Sequence, residues 1–402
     1  MKVGWEVKTL GDIVDVKGGK RVPKGYKLQS EPTRHPYITV SDFTDDGTID
    51  TSNIRYVSSE VFDQIKRYTI SSNNLYLSIA GTIGKTGYVP SELDGASLTE
   101  NACKLVLRPG IDLDFIYYFT KSDDFTRQAR SNTRIAAQPK LALERLKTIK
   151  LPIPSSLPEQ QRIVGILDEA FDGIATAKAN AEQNLHNARA LFESHLQSVF
   201  TQRGPGWVDR QLASLCQEIT VGHVGSMKTE YKESGIPFLR SQNIRPFEVS
   251  MENAMFIDGA FHRALKKSQL RPGDLAIVRT GYPGTAAVIP PELPDSNCSD
   301  LVIVRPTKEV NPHFLAAFFN SAFGKQLVLG KIVGAAQKHF NVTAAKEVML
   351  HLPPVAEQVK IIRMVDDLRE ETQRLARLYE RKLAALDELK RSLLYQAFTG
   401  QL

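Results

Sequence analysis

Two short stretches with Glu-Gln near their start decide the fold: PEQQRI (residues 158–163) and AEQVKI (residues 356–361). Each follows a proline-rich break and opens a long helical pattern, over residues 158–200 and 355–398. The two patterns lie 198 residues apart, close to half of the 402-residue chain. We therefore expect an internally duplicated protein in which one long helix closes each copy.

Further matches between the two halves follow in the same order, with a shift that drifts only between 197 and 202 residues. The paired segments are GWEVKTL (4–10) with GWVDRQL (206–212), LYLSIAGTIG (75–84) with LAIVRTGYPG (275–284), LVLRP (105–109) with VIVRP (302–306), and AAQ (136–138) with AAQ (335–337). Because few insertions separate the copies, the repeat predicts two similar globular domains.

Each copy mixes strand and helix signals. Short apolar runs bounded by Gly, Pro, Asn or Ser are typical of strands, while residues 115–130 and 314–329 have apolar side chains at helical spacing. No strict alternation of strand and helix emerges, so we expect an α+β class rather than a doubly wound sheet. The predicted parts are domain 1 (1–154), a central spacer helix (155–203), domain 2 (204–353) and a C-terminal spacer helix (354–402).

The C-terminal helix carries residues at alternating steps of four and three, the pattern of a heptad seam. This series is Ile361, Val365, Leu368, Thr372, Leu375, Tyr379, Lys382, Leu386, Leu389 and Leu393, and the central helix has a comparable one from Ile163 to Phe192. A helix of about 43 residues is about 65 Å long, too long for one domain to bury. We expect the two helices to form an antiparallel coiled coil; the alternative is two independent surface helices.

The bulk composition is that of an ordinary globular protein, with 42% hydrophobic and 24% charged residues. No apolar run of about 18 residues and no signal-type N-terminus are present, so we expect no membrane span and a cytoplasmic protein. Three scattered cysteines are too few for a disulfide framework or a zinc site. Lys and Arg exceed Asp and Glu by 51 to 45, a mild excess that permits nucleic-acid binding.

Sequence signatures of catalysis are missing. Gly84-Lys85-Thr86 suggests a phosphate loop, but Ile79 stands where that motif needs a glycine, so a turn between strands is favoured. The chain has no HExxH pair, no GxSxG elbow and no glycine-rich adenosylmethionine motif. We therefore expect a non-catalytic chain without a cofactor of its own. One alternative is a coiled-coil scaffold with two globular ligand- or peptide-binding heads.

Polar side chains near the predicted strand ends suit a surface that reads DNA, because Arg, Gln and Asn recognise base edges and Lys neutralises phosphates. The predicted contacts of domain 1 are Lys20, Arg21, Lys24, Thr39, Ser41, Thr82, Lys85, Arg134, Gln138 and Lys140. Those of domain 2 are Arg240, Ser241, Gln242, Asn243, Arg279, Tyr282, Gln337, Lys338 and His339. For any single one, a solvated surface role is the alternative. The stretches differ between the copies, as expected if each copy reads a different half-site.

The chain resembles the specificity subunit (HsdS) of type I restriction-modification systems. The residues that carry the resemblance are the repeated Gly-Trp openings, PFLRSQNI (237–244), the two AAQ segments, the Glu-Gln helix starts and the ending FTG (398–400). Each motif is short, but their repeated order covers essentially the whole chain.

This resemblance implies two target-recognition domains, each reading one half of a bipartite site in double-stranded DNA. It implies that the helices set the spacing and dock two modification (methyltransferase) subunits, which restriction (motor and nuclease) subunits can join. Adenosylmethionine, ATP and Mg are then expected on those partner subunits and not on this chain.

Overall fold

The computed structural model describes residues 3–133, 139–202, 204–330 and 339–402. The chain divides into two compact units: unit 1 is Met1–Ala181 with Arg381–Leu402, and unit 2 is Glu182–Glu380. Each unit therefore contains one globular α+β part, the start of one long helix and the end of the other. Within the described ranges, no helix is long and apolar enough to cross a membrane.

The elements of the first globular part are short. Its strands are β1 (Trp5–Thr9), β2 (Val14–Gly18), β3 (Pro36–Ile38), β4 (Arg55–Tyr56), β5 (Asn74–Ser78), β6 (Thr86–Tyr88), β7 (Ser97–Leu98), β8 (Ala102–Leu107) and β9 (Lys150–Pro154). Its helices are α1 (Leu10–Ile13), α2 (Ser59–Ile65), α3 (Leu113–Thr120), α4 (Asp123–Ser131) and α5 (Leu143–Lys147), after which the long helix α6 (Leu157–Thr201) begins.

The larger sheet of unit 1 has the strand order β2-β8-β5-β6, with antiparallel neighbours throughout. A smaller sheet, β4-β3-β7, joins β3 and β7 in parallel. Strand β5 is buried along its whole length because its alternate side chains enter two separate cores. Leu75 and Leu77 pack towards the helices, and Tyr76 packs into the core beneath the smaller sheet.

The second globular part repeats these elements. Its strands are β10 (Val208–Gln211), β11 (Cys216–Val221), β12 (Ile236–Leu239), β13 (Ile244–Arg245), β14 (Glu248–Val249), β15 (Met255–Ile257), β16 (Gln269–Leu270), β17 (Leu275–Val278), β18 (Ala286–Val288), β19 (Ser296–Cys298), β20 (Leu301–Pro306) and β21 (Met349–Leu352). Its helices are α7 (Gly259–Ala264), α8 (Pro312–Asn320), α9 (Ala322–Gly330) and α10 (Val342–Lys346), and the second long helix is α11 (Val355–Thr399).

The sheets of unit 2 follow the connectivity of those of unit 1, with one additional strand, β16, in the smaller sheet. The larger one is β11-β20-β17-β18, again with antiparallel neighbours, and the smaller one is β15-β12-β19-β16, with β12 and β19 parallel. Strand β17 is also fully buried, with Leu275 and Ile277 in one core and Ala276 and Val278 in another. The sequence repeat is therefore a repeat of topology, and the mixed, largely antiparallel sheets agree with the predicted α+β class.

The two helical patterns predicted at residues 115–130 and 314–329 each break into two helices, α3–α4 and α8–α9. A serine caps the second helix in both units. Ser122 Oγ accepts a hydrogen bond from the Phe125 N–H (3.2 Å), and Ser321 Oγ accepts one from the Gly324 N–H (3.0 Å). The apolar spacing continues across each break, so periodicity alone did not reveal the N-caps.

A buried glutamine fixes the start of each long helix. Gln160 is 1% exposed and Gln358 is 0% exposed, yet each side-chain amide is satisfied by three backbone groups. Gln160 accepts from Asp112 N (2.9 Å) and donates to Gly110 O (3.3 Å) and Pro154 O (3.0 Å), whereas Gln358 accepts from Asn311 N (2.7 Å) and donates to Glu309 O (3.2 Å) and Pro353 O (2.9 Å). The Glu-Gln motif of the sequence therefore attaches each helix to its own globular part.

Segments of α6 and α11 lie side by side and antiparallel inside unit 1. Contacts pair early residues of α6 with late residues of α11: Lys390 Nζ lies 4.8 Å from the Phe171 ring centroid, and Lys178 pairs with Asp387. Arg162 also donates to the O atom of Leu402 (3.0 Å), which follows the end of α11. In unit 2, Arg189 of α6 pairs with Glu380 of α11 at 2.8 Å. These are the interhelical contacts of a coiled coil.

The predicted seam of α11 is buried or half-buried from residue 361 to residue 379, and two of its four later positions are exposed. Lys382 is exposed and Leu389 is 46% exposed, whereas Leu383 is half-buried and Leu394 is 4% exposed. A straight α-helix drifts against a strict seven-residue repeat, so one fixed heptad does not describe the whole helix. The series predicted for α6 is buried or half-buried at every position.

Candidate nucleic-acid interface

Four strand ends meet along one edge of unit 1, because backbone hydrogen bonds tie the loops that follow them. Thr99 N donates to Ile38 O (3.0 Å), Lys20 N to Leu98 O (2.8 Å) and Ile79 N to Asn101 O (2.8 Å). The loops after β2, β3, β5 and β7 are therefore neighbours. We name these four loops, together with the segment that pairs with the β5 loop through Lys140, the polar edge of unit 1.

The polar edge brings together six of the predicted contacts of domain 1: Lys20, Arg21, Thr39, Ser41, Thr82 and Lys140. All are exposed except Thr39, which is half-buried. Thr39 Oγ1 lies 2.7 Å from Ser41 Oγ and donates to Asp42 (2.8 Å), so this turn is rigid. Lysines and hydroxyls in this arrangement can contact phosphates or base edges.

Two more of the predicted contacts of domain 1, Lys24 and Lys85, also lie on these loops. Lys24 is exposed further along the loop after β2. Lys85 is half-buried and held by the loop after β3, because its Nζ pairs with Asp45 Oδ1 (2.7 Å) and donates to Phe43 O (3.2 Å). The hydrogen bond from Lys85 also holds the pKa of Asp45 below its usual value. Arg134 and Gln138 lie outside the described residues.

Unit 2 has the same edge, built by equivalent backbone bonds. Ser299 N donates to Leu239 O (2.9 Å), His223 N donates to Cys298 O (2.8 Å) and Phe340 N donates to Arg279 O (3.2 Å). The loops after β11, β12, β17 and β19, together with the segment at Phe340, form the polar edge of unit 2. The edge therefore follows from the shared topology.

Arg279, Tyr282 and His339 all lie at this edge of unit 2. Arg279 has a side chain only 15% exposed and donates to Asp300 Oδ1 (2.6 Å) and Phe340 O (3.2 Å). Tyr282 is 84% exposed at the β17–β18 turn, and His339 Nδ1 lies 2.9 Å from the Thr280 hydroxyl. Gln337 and Lys338 lie outside the described residues.

The predicted RSQN stretch forms the 3-10 turn that follows β12, and its four side chains differ in environment. Asn243 is 0% exposed and its amide donates to Ser250 O (3.0 Å) and Glu252 O (3.1 Å), so it holds the turn and presents no surface to a base. Gln242 is exposed and Ser241 is half-buried. Arg240 donates to Asn253 O (3.0 Å), while its buried Nε has no partner among the described residues.

Sequence reasoning missed two carboxylates at the polar edges, Glu100 and Asp300. Glu100 stands at the turn before β8 and Asp300 at the turn before β20, and Glu100 pairs with Arg21 as Asp300 pairs with Arg279. Burial alone raises the pKa of Glu100, but hydrogen bonds from Arg21, its own N–H and Thr99 outweigh it, so the pKa lies below its ordinary value. Aligned at a shift of 200 residues, LTE (98–100) lies opposite CSD (298–300), so the sequence contained this signal.

Paired basic residues were also missed. Lys66 and Arg67 are exposed on a 3-10 turn after α2, and Lys266 and Lys267 are exposed on the equivalent turn after α7. In unit 2 this turn borders a cavity of about 460 Å³ beside the end of β11. Exposed cations beside a polar edge suit phosphate contacts, which position a protein without reading sequence.

Comparison with known proteins gives a consistent result. Residues 2–185 match the family model described as the type I restriction modification DNA specificity domain. The type I restriction enzyme EcoKI specificity subunit of Escherichia coli is 22% identical over 99% of this chain and 89% of that protein. The MjaIX specificity subunit of Methanocaldococcus jannaschii is 21% identical over 63% of this chain and 61% of that protein.

Solved structures share the fold. A chain from a type I restriction-modification system superposes with a TM-score of 0.81 at 18% identity, over 100% of this chain and 99% of that chain. The HsdS subunit from Thermoanaerobacter tengcongensis gives a TM-score of 0.65 at 19% identity, over 100% of this chain and 98% of its own. The predicted fold class, two tandem α+β domains with two long antiparallel helices, is confirmed.

Proposed function

We propose that this chain is a DNA specificity subunit of a type I restriction-modification system, in which each unit reads one half of a bipartite site. The observation that carries the proposal is the polar edge. Both units place the same four strand ends together, but the side chains on them differ. One scaffold with two sets of exposed side chains suits the recognition of two different half-sites.

Within each edge, we assign phosphate contacts and base contacts from the charge and geometry of the side chains. Exposed cations such as Lys20, Lys66 and Lys266 neutralise phosphates, which supplies affinity that falls steeply with salt. Arg279, Arg240 and Gln242 contact base edges in the major groove, and each good bidentate pair contributes about 1–3 kcal/mol of discrimination.

The long helices act as the spacer in this proposal. Helices α6 and α11 each contain 45 residues, which corresponds to about 68 Å of helix. A continuous helix that leaves one globular part and leads to the next limits how far apart two half-sites can lie. The buried anchors at Gln160 and Gln358 support this role, because they fix each helix to the globular part at its start.

Modification subunits dock on the outer faces of these helices in the proposed complex. Large apolar side chains are exposed there, where a lone coiled coil would place polar residues: Leu191 (54%), Met364 (57%), Leu378 (46%), Leu389 (46%) and Tyr395 (64%). The chain itself is non-catalytic and works in the cytoplasm. Adenosylmethionine, ATP and Mg belong to the modification and restriction subunits that join it.

Genome-wide methylation mapping tests the function directly. Cells that produce the chain with its modification subunits should carry a bipartite adenine mark that disappears when the gene is deleted. A deletion strain with an unchanged methylation pattern would contradict the proposal. Binding of the full chain to the marked duplex should weaken steeply between low and physiological salt.

The spacer role has its own test. Matched four-residue deletions in the middle of α6 and α11 shorten the helices by about 6 Å, or roughly two base pairs. The marked half-sites should keep their sequences while the gap between them changes. A changed half-site sequence with an unchanged gap would refute the spacer role and leave DNA recognition standing.

A further inference from the structure

A carboxylate lies at each polar edge, in a surface that is proposed to face the phosphates of DNA. Glu100 and Asp300 occupy equivalent turns, Glu100 before β8 and Asp300 before β20. An uncompensated anion there would repel the duplex, since DNA affinity depends largely on neutralising phosphate charge. Both carboxylates are compensated in the same way, by one arginine and one threonine hydroxyl.

In unit 2 this arrangement immobilises Arg279. Asp300 Oδ1 accepts from Arg279 Nη1 (2.6 Å), and Asp300 Oδ2 accepts from the Thr280 hydroxyl (3.1 Å). Phe340 O accepts from Arg279 Nε (3.2 Å). A guanidinium has five N–H donors, so these two bonds leave others for a bidentate contact with a guanine edge.

The backbone of Asp300 supports a functional role for this site. Its φ is 51°, in the left-handed region that non-glycine residues rarely adopt. Strained backbone conformations persist where the surroundings over-determine them, and they cluster at binding sites. Here the strain coincides with the position that aims one carboxylate at both Arg279 and Thr280.

Unit 1 builds the same combination from a different loop. Arg21, on the loop after β2, donates through Nε to Glu100 Oε1, and the Thr99 hydroxyl donates to Glu100 Oε2 (3.0 Å). The position of the carboxylate is common to the two units, whereas the arginine comes from the β2 loop in unit 1 and the β17 loop in unit 2. The carboxylate is therefore the constant part of an arrangement whose arginine varies.

We propose that Asp300 and Glu100 are positioning residues that hold Arg279 and Arg21 in the orientation that reads a guanine. The inference rests on the proposed DNA-recognition function and names the residues that give each half-site its selectivity. A held arginine loses less rotamer freedom when it binds. The carboxylate also competes with phosphates for the arginine, which otherwise makes sequence-independent contacts. It therefore weakens sequence-independent binding and raises the preference for one sequence.

Asp300→Asn separates these two effects, because it removes the charge while keeping the shape of the side chain. Duplexes carrying the mapped site, and duplexes with one half-site scrambled, are titrated with the full chain by fluorescence anisotropy. Affinity for scrambled DNA should stay the same or rise. Affinity for the site should fall, so that the specificity ratio for the half-site read by unit 2 drops roughly 5- to 100-fold. Glu100→Gln should act in the same way on the other half-site.

Other outcomes overturn the proposal. A fall in both affinities, together with a lower unfolding midpoint reported by Trp207, means that Asp300 only stabilises unit 2. An equal rise on every duplex means that it only repels phosphates. The double variant Arg279→Ala/Asp300→Asn should lose no more specificity than Arg279→Ala alone. An additional loss means that Asp300 contacts a base itself.

Glu309→Gln is the matched control. Glu309 is also a carboxylate of unit 2 paired with an arginine, Arg210, at 3.0 Å, but it lies beside the start of α11. This variant should leave the specificity ratio unchanged. If the wild-type chain prefers no sequence, the proposed function itself fails. If it prefers a bipartite site and Asp300→Asn keeps the full ratio, only the positioning role fails.

Discussion

Unit 1 and unit 2 agree closely where the long helices attach and differ along their polar edges. At the attachment, one phenylalanine from the end of a long helix packs edge-on against two phenylalanines of the globular part in both units. The ring-centroid distances are 5.1 and 5.4 Å for Phe398 with Phe115 and Phe119, and 5.2 and 5.5 Å for Phe200 with Phe314 and Phe318. The buried glutamines repeat just as closely.

Along the polar edges, by contrast, the side chains differ between the two units. Lys20 in unit 1 corresponds to His223 in unit 2 through equivalent backbone bonds, and the arginine held by the carboxylate comes from a different loop in each unit. Buried packing tolerates few changes because a lost contact or an unsatisfied amide destabilises the fold, whereas exposed substitutions usually alter stability by less than about 0.5 kcal/mol. Duplication therefore preserved the attachment and left the edges able to diverge.

The strongest test of the comparison is to remove the shared phenylalanines. Phe398→Ala should destabilise unit 1, and Phe200→Ala should destabilise unit 2, each by about 3–5 kcal/mol, because a buried aromatic ring leaves a cavity. The two tryptophans report the units separately: Trp5 lies in unit 1 and Trp207 in unit 2. Urea unfolding of unit 1 is followed by Trp5 fluorescence in the Trp207→Phe background. Unfolding of unit 2 is followed by Trp207 fluorescence in the Trp5→Phe background.

Tyr395→Ala is the control for that experiment, since Tyr395 lies one turn before Phe398 and is 64% exposed. It should change the unfolding free energy by less than about 0.5 kcal/mol. Equal losses in both units from either phenylalanine variant would show that the attachments are not independent.

A smaller effect is expected from the glutamine anchors. Gln358→Leu leaves one backbone N–H and two carbonyl groups without their partner, and each unsatisfied buried group costs about 1–3 kcal/mol unless water reaches it. We expect unit 2 to lose about 2–4 kcal/mol, measured by urea unfolding in the Trp5→Phe background. Gln161→Leu, followed in the Trp207→Phe background, changes an exposed glutamine at the same turn of the other helix and should be nearly neutral for unit 1. Similar losses for both would contradict the anchor role.

The edges are tested by Arg240→Ala. We expect this change to relax the specificity of one half-site by about 1–3 kcal/mol, measured as the affinity difference between matched and mismatched duplexes. Arg245→Ala removes the same charge from an exposed pair with Glu252 and serves as the control. A uniform loss on all duplexes would assign Arg240 to a phosphate contact.

The smallest expected effect concerns charge at a position where the units differ. Lys121 Nζ donates to Thr86 O (2.8 Å) in unit 1, whereas uncharged Asn320 donates to Ala286 O (2.8 Å) in unit 2. Burial lowers the pKa of Lys121 from 10.5 to about 8. Between pH 8 and 10 the unfolded chain binds this proton more readily than the folded one, so the lysine makes the stability of unit 1 rise with pH.

Lys121→Met should remove that rise and stabilise unit 1 below pH 8, by about 1 kcal/mol or less because solvent screens a partly exposed group. Urea unfolding at pH 7.0 and 9.5 in the Trp207→Phe background measures it. The unfolding free energy of unit 2, followed through Trp207 in the Trp5→Phe background, should not change with the substitution. A wild-type pH slope that survives the substitution would assign it to other groups.

Periodicity and repetition predicted much of the fold. The repeat gave two similar α+β parts, and the long apolar series gave two helices, because both depend on local spacing that is visible in the sequence. The helix breaks at Ser122 and Ser321 and the exposure of Lys382 and Leu389 were missed. Capping competes with an uninterrupted apolar pattern, and helical drift accumulates only over many turns.

The candidate site was less predictable. Lys20, Arg21 and Gln242 are exposed at the polar edges, as polar residues after strands tend to be, and their contacts with DNA stay a prediction. Asn243 is a residue type that can recognise a base, but its side-chain amide donates its hydrogen bonds within its own turn, to Ser250 O and Glu252 O.

The sequence by itself determined the duplication, the class of each copy and the helices that close them, since these depend on residue spacing and pairwise similarity. Only the tertiary structure decided which polar residues share an edge and which side chains already have hydrogen-bond partners within the protein. Backbone bonds between strands distant in sequence bring Arg279 to Asp300 and Arg21 to Glu100. The Glu-Gln motifs that opened the sequence mark two helix starts, and the fold gives each glutamine its three backbone partners.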